Sequence, residues 1–313
     1  VEQVTVSDAR AGGFEEHRSR LFGAAYRMLG SRAEAEDVVQ EAYLRWHRAD
    51  RAAIRDPRAW LVTTTTRLAI DRLRALKVQR EAYVGPWLPE PLLGRELPRP
   101  DRAAELASDL SVAFVVLLER LAPEECAAFL LHDVFDCDYA EIARTLDRSE
   151  VSCRQIVHRA RERVRTERRR FQATESSRVR LLRKFLAAAQ ARNEGALLQL
   201  FAPDATWTSD GGDRVPAARR VILGRERIVR LVLGLENRLY RDRAASRHLA
   251  AVNGQTGFLT WMEGRLFSAT SIASDGEQIF AVYTVLNPDK LTWPEPDFEA
   301  PGDWRTRWTK GEA

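Results

Sequence analysis

Apolar residues recur at helical spacing from the start of the chain. Leu21, Phe22, Ala25, Met28 and Leu29 predict a helix over 14–29 that Gly30 stops. Ser31 and Glu34 form a Ser-x-x-Glu capping box opening a second helix through His47. Its apolar side is Val38, Val39, Ala42, Tyr43 and Trp46, and its polar side Glu36, Asp37, Gln40, Glu41 and Arg45. Asp56 as N-cap and Pro57 at the first helical position open a third helix running toward Arg80. At 100° per residue Arg67, Arg74 and Lys77 fall within roughly 80° of one another, so three cations share one face.

From Tyr83 to about Ala107 the periodicity fails. Gly85, Pro86, Pro89, Pro91, Gly94, Pro98 and Pro100 exclude regular structure and mark a linker, yet 86–93 reads PWLPEPLL. Proline makes that stretch extended and stiff, and an extended apolar strip needs a groove. Helices resume over 109–121 and 123–134. Residues 138–165 then show a short helix containing Ala143, a tight turn at Asp147 and Arg148, Ser149 as N-cap, and a helix carrying Arg154, Gln155, His158, Arg159, Arg161 and Arg163. This is a helix-turn-helix pattern, with Asp147 where a glycine would ease the turn.

After the basic tract 168–170 the pattern changes. Amphipathic helices over 176–192 and 194–201 precede strand-like runs at 205–208, 219–223, 248–253, 256–261, 268–273 and 279–286, with one helix at 225–239 between them. Helices followed by a curled antiparallel sheet predict a separate α+β domain. The tail beyond Asn287 is rich in Trp, Pro and charge and reads as poorly packed; its Trp293-Pro294-Glu295-Pro296 echoes the linker.

Composition adds little except in its distribution. The 313 residues, 45% hydrophobic and 30% charged, suit a globular chain of two or three domains. The net charge of +4 is mild. Cations crowd 67–80 and 154–170, a clustering that suits an anionic polymer. Cys126, Cys137 and Cys153 are odd in number and lie at no zinc-ligand spacing, which predicts reduced intracellular thiols and no metal site. Without an apolar run of spanning length or a signal pattern, the expected location is the cytoplasm, away from membranes.

The recognition helix suits a major groove, where Arg pairs with guanine edges and Gln with adenine while flanking cations hold phosphates. The two amino-terminal segments, GAAYRMLGSRAEAEDVVQEAYLRWHRA and DPRAWLVTTTTRLAIDRLR, resemble region 2 of the extracytoplasmic-function sigma factors of bacterial RNA polymerase, and 138–165 resembles their region 4. WLPEP (87–91), SDGGDRVPAARR (209–220) and NPDKL (287–291) resemble the members with a fused SnoaL-like extension, the SigJ-type group. That group's glycine motif usually has a third glycine and a lysine, where Asp213 and Arg214 stand here.

The resemblance implies two all-α sigma domains followed by an α+β NTF2-like cone: region 2 over 14–82, the linker over 83–107, region 4 over 108–171, the cone over 176–291 and a tail over 292–313. It implies that Asp37, Val38, Gln40, Glu41 and Leu44 dock on the beta-prime clamp helices of core RNA polymerase, with region 4 at the beta flap. Arg67, Arg74, Lys77, Arg80 and the loop after them would open and read the minus-ten element of promoter DNA. Ser149, Ser152, Arg154, Gln155, His158 and Arg159 would read the minus-thirty-five element. Opening a duplex costs unstacking energy, so a stacking residue beside such a cationic helix is expected; Trp60 is a candidate, or else a core residue. The extension would regulate in cis, without a separate anti-sigma factor, by gripping Trp87, Leu88, Pro89, Glu90 and Pro91 through Asp210, Gly211, Gly212, Asn287, Pro288, Asp289, Lys290 and Leu291.

Two other classes remain. A ligand-gated helix-turn-helix regulator would bind duplex DNA without polymerase. An enzyme of the cone fold would move a proton with Asp204, Asp210, His248 or Tyr283, candidates by residue type alone. The expectation is no catalytic residue and no cofactor, with a small ligand in the cone left open. Cys153, on the recognition helix, is the one thiol whose oxidation could couple to DNA binding.

Overall fold

The structure is a computed structural model that describes residues 3–93, 110–168, 173–238 and 245–291. Linker residues 94–109 and the tail with its Trp293–Pro296 echo lie outside the described residues.

Helices α1 (Gln3–Leu29), α2 (Arg32–Arg48) and α3 (Pro57–Glu81) form the first body. The first begins well before the predicted Phe14. Ser31 caps α2 as expected, its hydroxyl accepting from the Glu34 amide, but Glu34 pairs with Arg72 instead of completing the box. The Arg32 amide at the new helix start donates to the Glu90 carboxylate of the linker. Asp56 caps α3 through the Ala59 amide, with Pro57 in the first turn, as its sequence predicts. Trp60 packs on Trp46 with ring centroids 5.5 Å apart, which favours its core reading.

The second body is α4 (Val112–Glu119), α5 (Pro123–Asp133), α6 (Tyr139–Leu146) and α7 (Glu150–Arg168). Asp138 and Glu141 make a reciprocal capping box on α6, and Asp147 ends it at φ 53° and ψ 54°, the left-handed turn that aspartate tolerates. Cys153, Ile156, Val157, Ala160 and Val164 turn the apolar stripe of α7 inward. The two helical bodies share a single hydrophobic core: Leu73 and Leu76 of α3 belong to the same cluster as Leu117, Phe129 and Val157.

Helices α8 (Glu175–Gln190), α9 (Glu194–Leu200) and α10 (Arg225–Arg238) lie on a six-stranded sheet. Its strands are β1 (Phe201–Asp210), β2 (Ile222–Leu223), β3 (Ala245–Val252), β4 (Gln255–Met262), β5 (Arg265–Ser274) and β6 (Ile279–Val285), in the order β2-β1-β6-β5-β4-β3. All pairs are antiparallel except β1–β6, which is parallel. Helix order and strand order follow the sequence pattern.

Alternation along the strands separates two faces. Phe258, Ile272 and Val282 face the helices of this domain. Leu259, Ala269, Ala273, Ala281, Tyr283 and Val285 face the other way, onto Leu88 and Leu93 of the linker and Val112 and Ala113 of α4. The alanines on that outer face let the linker backbone approach closely.

Candidate nucleic-acid interface

The linker strip lies at the centre of the molecule. Its successive side chains enter different cores: Leu88 and Leu93 join the sheet's outer face, and Leu92 joins the helical core. Burying each such leucine stabilises by about 1.5–3 kcal/mol. Pro89 and Pro91 are buried with them. The backbone is tied to both neighbours. The Glu90 amide donates to the Gly30 carbonyl at 2.8 Å, and the Tyr26 hydroxyl donates to the Glu90 carbonyl at 2.6 Å. On the other side the Asn253 amide donates to the Leu92 carbonyl at 2.8 Å, and Leu93 bridges to Val252.

Trp87 sits between the domains. Its ring covers Gly30, whose φ is +62° and where an added Cβ would lie 2.5 Å from the indole, so both the backbone and the ring demand glycine. The Arg80 guanidinium stacks over the ring at 3.5 Å, and the Lys290 ammonium lies 4.4 Å from its centroid. The indole thus covers an edge of the first body and is at the same time held by the third.

Asp210 closes this contact. It is fully buried and accepts from the Tyr83 hydroxyl at 2.6 Å, the Leu88 amide at 2.7 Å and the Lys290 ammonium at 2.8 Å. Lys290 also donates to the Leu88 carbonyl at 2.7 Å. Burial pulls its pKa down to about 8 against the support of Asp210, and burial raises that of the Tyr83 phenol. Gly211 and Gly212 make the turn beyond Asp210 possible: a Cβ on Gly211 would meet the Val215 carbonyl at 2.4 Å, and Gly212, at φ +56°, faces Asn287. Asn287 donates to Tyr83 at 2.9 Å and caps the turn of Pro288, Asp289 and Lys290. Arg214, in the place of the usual motif residue, pairs with Asp289 on the surface, while Leu291 packs against the sheet's outer face.

The cations predicted to meet DNA divide into two sets. On α7, Arg154, Gln155, His158 and Arg159 are exposed, Ser149 caps the helix through the Ser152 amide, and Ser152 is half-buried. Arg154 pairs with Glu150 and lies 5.2 Å from the Tyr139 ring. That face is open to solvent. On α3, by contrast, the cations turn onto the second body. Arg67 donates to the carbonyls of Thr145 at 2.9 Å and Arg144 at 2.6 Å, Arg74 pairs with Glu124 at 2.5 Å, and Lys77 donates to the carbonyls of Glu119 at 3.1 Å and Leu121 at 2.7 Å. Arg80 pairs with Glu119 at 2.5 Å. Arg58, at the start of the same helix, donates to the Phe135 carbonyl.

On α2, Asp37, Gln40 and Leu44 are exposed and Glu41 is half-buried, holding Arg45. Val38 points the other way, 6% exposed within the core, so its contribution is packing.

The family models for Sigma-70 region 2 and Sigma-70 region 4 match residues 14–78 and 111–164. The ECF RNA polymerase sigma factor SigJ of Mycobacterium tuberculosis is 38% identical over 288 residues, covering 89% of this chain and 92% of that protein. The chain is an extracytoplasmic-function sigma factor. As such it directs RNA polymerase to promoters. A probable sigma factor of the same family, SigI of Mycobacterium tuberculosis, is 28% identical over 91% of this chain and 95% of its own length. The crystal structure of Mycobacterium tuberculosis SigJ superposes with a TM-score of 0.70 at 35% identity, covering 88% of this chain and 96% of that one. The helical bodies of this sigma factor are therefore regions 2 and 4, and its sheet domain is the carboxy-terminal extension expected from its motifs.

The thiols do not suit a redox sensor. Cys126 and Cys153 are buried, and burial raises the pKa of both, that of Cys126 to about 12 and that of half-buried Cys137 to about 11. Cys153 faces the core and not the DNA side of its helix. The native chain should therefore show no fast-reacting thiol with Ellman's reagent at pH 8, and all three should react in denaturant. One rapid equivalent assigned to Cys153 would overturn this expectation.

Sequence reading missed Tyr26, Tyr83 and Asn253. The Asn253-Gly254 pair is a hairpin-turn signal, and Asn253 sits at φ +53°, but nothing local announces that its side chain reaches the linker.

Proposed function

We propose that the carboxy-terminal domain of this sigma factor is a latch that holds regions 2 and 4 against one another and so restrains promoter opening. The observation that carries this reading is the engagement of α3: Arg67, Arg74, Lys77 and Arg80 all pair with groups of region 4, Lys77 and Arg80 half-buried and Arg67 and Arg74 at the exposed rim of the contact. In the latched chain α3 cannot offer these groups to the minus-ten strand, whereas the α7 face remains free for the minus-thirty-five duplex. Release of the linker lets region 4 swing away and turns the same cations toward DNA. The polymerase clamp helices would meet α2 at Asp37, Gln40, Glu41 and Leu44. Regulation then needs no separate anti-sigma factor, because the restraining partner is part of the chain. The extension acts here by packing: its conspicuous aspartate, Asp210, is saturated by three donors and faces the linker, not a substrate pocket.

Run-off transcription with core RNA polymerase on the gene's own upstream DNA tests the two halves of this reading. Replacing Arg154 and Gln155 together with alanine is expected to reduce initiation by at least about 30-fold, since each base-reading pair contributes about 1–3 kcal/mol of discrimination. Unchanged initiation would remove α7 from promoter reading. Latch variants should move initiation the other way.

A further inference from the structure

Residues 213–230 of the extension carry six arginines against two carboxylates, an excess as large as the net charge of the whole chain, +4. Many exposed arginines of this protein sit on a neighbouring carboxylate, as Arg45 does on Glu41 and Arg165 on Glu162. Within the segment Arg214 pairs with Asp289, and Arg225 with Glu226. Arg219 and Arg220 do not follow this habit. Both are exposed, they are adjacent in the chain, and neither meets a carboxylate among the described residues. Two neighbouring guanidiniums without a countercharge repel one another, and a polyanion relieves both at once. Their place matters as much as their charge. A Cβ on Gly85, at φ +79°, would lie 3.7 Å from the Arg219 Cα. Gly85 belongs to the turn after α3, so the arginine pair lies beside the end of the helix expected at the minus-ten element. The cations of α3 itself are engaged with region 4 in the closed chain, whereas these two remain open to solvent.

We infer that Arg219 and Arg220 are a promoter-contacting site of the extension, which holds phosphates of duplex DNA beside the minus-ten element while the chain is closed. Guanidinium suits this partner because its planar fork meets a phosphate through two parallel N–H donors. Such contacts position the duplex and carry no base preference, so reading stays with α7. The inference rests on the family assignment and on the exposure of the pair, not on the latch, and its test needs no polymerase. Each phosphate neutralised on duplex DNA releases condensed counterions and adds about 0.9 to the slope of log affinity against log salt.

The test is fluorescence anisotropy of the full-length chain on its own upstream duplex and on a scrambled duplex of equal length, from about 50 to about 200 mM salt. The double variant Arg219→Ala, Arg220→Ala is expected to bind both duplexes more weakly and to lower the salt slope by about 1.8, so that the advantage of the unmodified chain shrinks about 12-fold over this range. The double variant Arg219→Lys, Arg220→Lys should keep the slope, because phosphates respond to charge. Gln155→Ala is the contrast: it removes no charge, so it should weaken binding to the promoter duplex alone and leave the slope as it is. A Gln155 variant without effect counts against α7 and not against the arginine pair. An unchanged slope in the alanine variant overturns the proposal. So does a loss confined to the promoter duplex, a lysine variant no better than the alanine one, or absence of binding by the unmodified chain at about 50 mM salt.

Discussion

Replacing Asp210 with asparagine is expected to open the chain and to raise initiation from its promoters. Asp210 is fully buried and accepts from Tyr83, the Leu88 amide and Lys290. The amide variant keeps the shape but removes the countercharge of an ammonium whose side chain is 14% exposed. Breaking a buried ion pair from one side costs about 3–5 kcal/mol, which shifts a closed-to-open equilibrium by at least about 10²-fold. A larger radius of gyration by small-angle scattering, cleavage within 83–93 by a protease that spares the parent chain, and stronger run-off transcription should appear together. Asp289→Asn is the control: its pair with Arg214 lies on the surface, screened by solvent, and its loss should leave the closed state as it is. Opening without added transcription would separate the latch from regulation; no opening at all would remove Asp210 from the latch.

The sign of the pH effect on this contact follows from Lys290. Its pKa in the closed chain is about 8, below the ordinary 10.5 that it regains when released. Between these values the open chain holds a proton that the closed chain has lost, so raising the pH through that window favours closure. Below about pH 8 the charge is present in both states and its burial penalty is felt in full. The unmodified chain should accordingly be more compact at pH 9.5 than at pH 7 in the same scattering experiment.

Asn253→Ala should cost the whole chain stability at one stroke. The residue is fully buried, its side-chain oxygen accepts from the Leu92 amide at 2.9 Å, and its nitrogen donates to the Tyr26 hydroxyl at 2.7 Å and the Leu110 carbonyl at 2.9 Å. One turn residue of the sheet domain therefore holds region 2, the linker and the approach to region 4. Leaving the Leu92 amide and Leu110 carbonyl unpaired costs about 1–3 kcal/mol each, and the left-handed backbone adds about 1 kcal/mol for a residue with a Cβ and no side-chain amide. A total near 3–7 kcal/mol should show as a large drop in the urea midpoint. Asn253→Asp keeps the acceptor for Leu92 and loses the two donors. A double-mutant cycle with Tyr26→Phe isolates the contact to Tyr26, whose buried hydroxyl also donates to Glu90; a coupling of about 0.5–3 kcal/mol is expected. A loss below about 1 kcal/mol for Asn253→Ala would mean that these bonds contribute little beyond what water supplies in the open chain.

The elements were legible because each carries a local cause. The Asp56-Pro57 start, the Ser149 cap of α7 and the alternation in β6 are short-range facts that tertiary packing did not override. Even Asp147, which lacks the freedom of glycine, took the turn its neighbours required. What the sequence could not disclose was which partner a side chain would choose. Arg67 and Lys77 look alike whether they are to meet phosphates or backbone carbonyls, and the carbonyls they found belong to Arg144 and Leu121, residues whose identity carries no signal for that contact. Glu34 was in place for a capping box, but Arg72 on a neighbouring helix outcompeted the local amide. Val38 fitted both an apolar stripe and a docking motif, and packing decided between them. The linker strip was readable as something that needs a groove; that two different cores would share its leucines was not.

The bond between Tyr26 and Asn253 joins residues 227 positions apart, and this separation has a consequence in time. A ribosome adding about 5–20 residues per second makes Asn253 some 11–45 s after Tyr26, well after both promoter-reading modules have emerged. Every newborn chain therefore passes through an interval in which it possesses both modules, with their shared core, and not yet the sheet domain that fastens the linker to them.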